Sequence, residues 1–243
     1  MPPLHTHHAL SSAPRTAVAA LGPVTLVVTL AMTLACGDRP ARDTAATARA
    51  AAPAPRVIPG PAATPPRSPD RWQARFTTSK GDFVVAVERS LAPRAADRFY
   101  ELVTIGYFDG TRFFRIVPGF ITQWGIHGDT AVSAQWNDAE FPDEPMRTPN
   151  VRGTIAFAAN GPDSRAAQVF VSTGDNRKAL DRQRVFAPFG RVVEGMDVVD
   201  ALNAEYGEEP SFIKIVRQGN AYLRRWFPAL DSVVTARVDS TTR

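Results

Sequence analysis

The 243-residue chain carries one cysteine, Cys36, and four histidines, three of which fall among its first eight residues. A single thiol excludes an intrachain disulfide framework, a cysteine-rich zinc site and a CxxC redox pair. Cys36 also precedes everything that reads as folded, so a thiol protease would have no nucleophile. His127 is the one histidine beyond the leader. A lone imidazole makes neither a triad nor a metal site, and His127 is read as a structural residue of the loop Trp124-Gly125-Ile126-His127-Gly128-Asp129. The GxGxxG and Walker-type phosphate loops and the GxSxG elbow are absent as well. No cofactor and no metal are expected. Asp138, Glu140, Asp143 and Glu144 form an acidic run interrupted by Pro142 and Pro145. They lack the regular oxygen spacing of a calcium loop and are read as a solvated loop.

The net charge is +4, but the excess sits at the ends. Residues 71–218 hold 18 basic and 19 acidic side chains, whereas a nucleic-acid reader concentrates Lys and Arg on its folded surface. No nucleic-acid partner is expected.

Residues 17–35 form one uncharged, mostly apolar stretch behind Arg15, ending in Thr33-Leu34-Ala35-Cys36-Gly37. This is the layout of an export signal, and its end resembles the bacterial lipobox, although Thr33 stands where that motif prefers Leu. Residues 1–35 are read as a signal peptide and Cys36 as the lipidated amino terminus. An uncleaved anchor and plain secretion are the alternatives. All three place the protein outside the cytoplasm. The lipid reading puts it on the periplasmic face of the cell envelope, with Gly37 favouring the outer membrane over the inner. Twelve of the 21 prolines precede residue 71. Residues 37–70 contain almost nothing large and apolar beyond Val57 and Ile58, so 36–70 is expected to be a disordered Pro/Ala-rich tether.

From Trp72 the texture changes. Ala74–Thr78 and Gly81–Val87 read as a hairpin, and Ala92–Thr104 as a helix with Pro93 in its first turn. Short apolar runs follow at 112–117, 120–124, 154–158, 168–172 and 189–193, then a short helix over 196–202 and a closing strand over 212–217. Many short strands with two helices predict a mainly β fold, a closed antiparallel barrel with helical plugs; a two-layer α+β sandwich is the alternative. Residues 219–243 are expected to be a helical extension, because Trp226, Phe227 and Leu230 recur at helical spacing.

Three blocks then carry a resemblance. Phe113-Phe114-Arg115-Ile116-Val117-Pro118-Gly119-Phe120-Ile121-Thr122-Gln123-Trp124-Gly125 is similar to the signature F-x-R-I/V-I/V-x-G-F-x-x-Q-x-G of the cyclophilins, which are peptidyl-prolyl isomerases. Gly153–Ala158 with Gly161-Pro162 and Gln168–Val171, and then Phe189–Val199, follow in family order. The resemblance spans most of residues 74–217 and implies a closed eight-stranded antiparallel barrel capped by two helices, with 71–218 as the isomerase domain. By the same resemblance Arg115 hydrogen-bonds the prolyl nitrogen of a twisted amide and Gln123 bonds the substrate backbone. Phe120, Ile121 and Phe170 wall a proline pocket, and Ala158 and Ala159 form the rim where the substrate chain lies extended. Leu180 and Phe186 are candidates for the far wall. Ala179 stands where many members have Trp or Phe, so the indole that contacts cyclosporin in the family is missing. Two extra residues fall around 182–185.

The expected protein is a monomeric, tethered envelope isomerase acting on proline-containing polypeptides. The alternative is a proline-peptide-binding or chaperone module with little catalysis.

Overall fold

A computed structural model describes residues 57–239. The signal stretch, Cys36 and the tether up to residue 56 lie outside the described residues. No helix among the described residues is long and apolar enough to cross a membrane.

Eight strands make one antiparallel sheet: β1 (Arg71–Thr78), β2 (Gly81–Glu88), β3 (Arg115–Val117), β4 (Ile121–Trp124), β5 (Thr154–Phe157), β6 (Val169–Ser172), β7 (Gly190–Glu194) and β8 (Val233–Val238). Their order across the sheet is β3-β4-β6-β5-β7-β2-β1-β8. The helices are α1 (Pro93–Ile105), α2 (Thr130–Asn137), α3 (Arg177–Leu180), α4 (Met196–Asp200) and α5 (Phe212–Trp226).

The sheet curls but is not the closed barrel expected from the sequence. No ladder joins β3 to β8. An isolated bridge between Arg112 and Ser232 spans the gap, with bonds from Gly110 N to Val233 O (2.8 Å) and from Val233 N to Thr111 O (2.9 Å). The outer edge of β3 bonds instead to the turn before α5, where Ile116 N donates to Gly207 O at 3.1 Å.

Alternation builds the core. In β1 the side chains of Trp72, Ala74, Phe76 and Thr78 point inward and are buried, while their neighbours are more exposed, the period of two of a half-buried strand. Phe76 lies opposite Phe83 of β2 and stacks on it at 4.9 Å. Trp124 meets both rings edge-on at 5.6 and 6.0 Å, an arrangement the ring quadrupoles favour. α1 closes one side by setting Phe99 against Phe189 at 4.9 Å.

Three expectations fail. Phe212–Arg217 is not the closing strand but the start of α5. A six-residue apolar window does not separate strand from helix, whereas the full 15 residues bury Ile215, Gly219, Tyr222 and Leu223 on one stripe. The closing strand is β8, paired with β1, inside the segment expected to be a helical extension; its Val/Thr-rich run suits a pleated surface. Third, residues 57–70 are docked rather than free tether. Ile58 packs on the core, Trp136 Nε1 donates to Pro59 O at 3.1 Å, and Ala62 N donates to Glu101 Oε1 at 2.8 Å.

Two details complete the frame. α2 was not expected; Asp129 caps it by accepting from Ala131 N at 2.8 Å. α5 bends at Gly219, where φ is +57° and a Cβ would overlap the Gly128 carbonyl, so this position requires glycine.

Candidate active site

β4, β5 and β6 are buried on both faces, and β3 buries only Ile116. Ile116, Trp124, Ile155, Phe157, Val169 and Val171 face the main core. Their neighbours Ile121, Ala156 and Phe170 point the other way and form a second apolar cluster with Leu180, edged by Phe120, Ala158 and Phe186. Register aligns the polar members with this outer face. Arg115 pairs with Gln123, Gln123 with Phe170 and Phe170 with Ala156, so these four side chains form one row across four strands.

Arg115, Gln123 and Phe170 of this row line a cleft of about 890 Å³. All nine residues singled out in the sequence line it: Arg115, Gln123, Phe120, Ile121, Ala158, Ala159, Phe170, Leu180 and Phe186. Phe186 stands edge-on to Phe170 at 5.8 Å and supplies a wall on the side where Ala179 carries no ring. Gln123 Nε2 donates to Gln168 Oε1 at 3.1 Å, and Arg115 Nη1 donates to Gln123 Oε1 at 3.2 Å. The Arg115 guanidinium lies 5.7 Å above the Phe120 ring, within the range of cation–π attraction.

Other residues hold these walls, and the sequence did not single them out. The buried Asn150 donates through Nδ2 to Asp181 Oδ1 (2.9 Å) and to Phe186 O (3.0 Å), tying both ends of the far wall together. Asn176 Nδ2 donates to Phe120 O at 2.7 Å. An asparagine in a polar loop carries no local sign of such a role. Phe212 and Ile213 of α5 also line the cleft and remain partly exposed. The mistaken strand assignment hid them.

His127 is structural, as expected: its Nδ1 accepts from Asp129 N at 3.1 Å and its ring lies 5.4 Å from Tyr107. The acidic run is solvated at Asp138 and Glu140, as expected, but not at Asp143 and Glu144. Glu144 is buried and accepts from Arg94 N (2.6 Å) and Ala95 N (2.9 Å). It thereby caps α1, whose own N-cap residue, Ala92, has no side-chain acceptor. Glu144 and Asp143 also pair with the fully buried Arg165. No group of three or more potential metal ligands occurs among the described residues.

The arrangement is a cation beside the apolar wall of Phe120, Ile121, Phe170, Leu180 and Phe186. A cation that offers directional donors beside an apolar wall can stabilise one conformation of a bound chain without breaking a bond.

Comparison with known proteins agrees. The family described as "Cyclophilin type peptidyl-prolyl cis-trans isomerase/CLD" matches residues 73–220. The chain is 34% identical over 131 residues to peptidyl-prolyl cis-trans isomerase A of Dickeya dadantii, covering 53% of this chain and 69% of that protein. It is 32% identical over 164 residues to peptidyl-prolyl cis-trans isomerase B of Saccharomyces cerevisiae, covering 63% and 76%. Among solved structures, a Cryptosporidium parvum cyclophilin-type isomerase superposes with a TM-score of 0.54 at 18% identity, covering 71% of this chain and 99% of that one. The same protein has been solved in the presence of the dipeptide Ala-Pro, with a TM-score of 0.53. With its signature residues gathered in one cleft and the family match spanning most of the described residues, this chain belongs to the cyclophilin-type peptidyl-prolyl cis-trans isomerases.

Proposed function

We propose that the cleft accelerates X–Pro rotation through Arg115, and that its substrates are exported or envelope proteins. Rotation about an amide faces a barrier of about 18–20 kcal/mol because the nitrogen lone pair is conjugated with the carbonyl. In the twisted state that lone pair is released and the prolyl nitrogen becomes an acceptor. A donor that bonds it only then lowers the barrier, with each tenfold worth about 1.36 kcal/mol. Arg115 suits the role: it stays charged, offers directional donors and stands beside the Phe120–Ile121–Phe170 pocket. Gln123 steadies the guanidinium and presents its amide to the substrate backbone, while Ala158 and Ala159 hold the chain extended at the rim.

The observation that carries this reading is the Arg115–Gln123–Phe170 row facing the cleft. Exchange spectroscopy on a prolyl tetrapeptide tests it. Arg115→Ala should lower kcat/KM by about a hundredfold, and Arg115→Lys should restore little, since an ammonium lacks the planar fork. Full activity of Arg115→Ala would overturn the mechanism.

The envelope assignment is supported by the apolar stretch 17–35 ending at Cys36. Fatty-acid labelling that is lost in Cys36→Ala would support lipid anchoring, and labelling that persists would refute attachment at that residue.

A further inference from the structure

The segment between α4 and α5 brings a carboxylate to the one cation of the catalytic row. Arg115 Nε donates to Glu208 Oε1 at 2.6 Å, and Nη2 pairs with the same oxygen. A guanidinium has five N–H donors. Glu208 takes two and Gln123 takes one, which leaves one on each terminal nitrogen for an acceptor in the cleft.

The loop that carries Glu208 is clamped on both sides. Ile116 N, on the strand of Arg115, donates to Gly207 O at 3.1 Å, and Glu209 N donates to Tyr206 O at 2.9 Å. Tyr206 stands edge-on to Phe227 at 5.2 Å and packs on a cluster of Phe114, Ile126, Ile215, Tyr222, Leu223, Phe227 and Leu230. Phe114 and Ile126 flank β3 and β4, and the other five come from α5 and the turn after it. Much of this cluster's burial therefore fixes the 206–209 turn beside Arg115.

We infer that Glu208 is a positioning residue for the isomerisation, an inference that rests on the Arg115 mechanism above. An arginine side chain that is 33% exposed has many rotamers open to it, and few of them aim donors at the pocket. A carboxylate on a pinned loop selects one. The opposing effect is partial neutralisation of the cation. Glu208 is 60% exposed, so water screens its charge at the more distant prolyl nitrogen more than it weakens the two N–H donors that share one carboxylate oxygen at contact distance. Orientation wins.

The test uses the full chain and exchange spectroscopy on a prolyl tetrapeptide. Glu208→Ala should lower kcat about tenfold and leave KM within about twofold. Glu208→Gln keeps the acceptor oxygen and should stay within about threefold of wild type. In an Arg115→Ala background, Glu208→Ala should change nothing. The Arg115 Nε–H signal in a nitrogen-15 spectrum should exchange slowly in wild type and be lost in Glu208→Ala. Unchanged or faster catalysis in Glu208→Ala, equal damage by Gln and Ala, or an unaltered Nε–H signal would overturn the inference while leaving the arginine mechanism standing. Full activity of Arg115→Ala would remove both.

Discussion

Individual side chains here do two kinds of work, and Glu144 shows the structural kind. Its carboxylate receives the first free N–H groups of α1 and pairs with Arg165, which has no exposed side-chain surface. Truncating it would orphan two helix donors and leave a buried cation short of a partner. Glu144→Ala should therefore lose about 3 kcal/mol or more in a urea titration; a loss under about 1 kcal/mol would show that Asp143 suffices for Arg165. His127 supplies a pH effect. Burial holds its pKa below the ordinary 6.5, against the upward pull of Asp129 and Asp109. The folded state favours the neutral ring, while the unfolded chain takes up a proton, so this contribution to stability is present above pH 6.5 and is lost as pH falls below it. The urea midpoint should drop between about pH 7 and pH 5, and drop less in His127→Gln; equal drops would place the dependence in other groups.

At the scale of elements, α5 and β8 decide whether the sheet can be completed. β8 buries Val233 and Ala236 in the main core and pairs with β1 along its length. The family match ends at residue 220, before β8 begins. A chain ending at residue 218 should thus lose cooperative unfolding, read as a broad, shallow melt by circular dichroism; a sharp transition would show that β8 is dispensable. The bend of α5 is equally specific. Gly219→Ala combines a positive φ with overlap on Gly128 O and should cost about 2 kcal/mol or more of stability. The identity of α5 was readable from its 15-residue stripe but not from its first six residues. β8 was hidden because a short Val-rich run after a helix resembles more of the same apolar surface. β1 and helix α1 were legible because their periods run for eight and thirteen residues, and β2 because a Val-rich run follows the Ser79-Lys80-Gly81 turn.

For the whole molecule, residues 57–70 are docked on the fold, ahead of the boundary expected at residue 71. Ser68 N donates to Asp97 Oδ1 at 2.8 Å and Ala62 N to Glu101 Oε1 at 2.8 Å. Ile58 covers part of the core. A fragment starting at residue 57 should accordingly be more stable than one starting at residue 71 by about 1–3 kcal/mol in denaturant. Equal midpoints would mean that the docked segment contributes no net stability. Composition misread this stretch because its apolar content is low on average, whereas docking depends on one isoleucine and a few backbone groups meeting partners far along the chain.

What the sequence determined by itself was the family and the set of candidate residues that line the cleft. Arg115, Gln123, Phe170 and the other six candidates were named by the resemblance to the cyclophilin signature, and all nine lie in one cleft. A signature motif is a property of consecutive residues, so it is readable without knowledge of the fold. The tertiary structure alone decided which segment completes the sheet, that Glu144 caps a helix 50 residues away in sequence, and that Glu208 reaches an arginine 93 residues before it. Each of these depends on two distant stretches meeting, and a solvent-facing glutamate and a capping glutamate read alike until the chain folds.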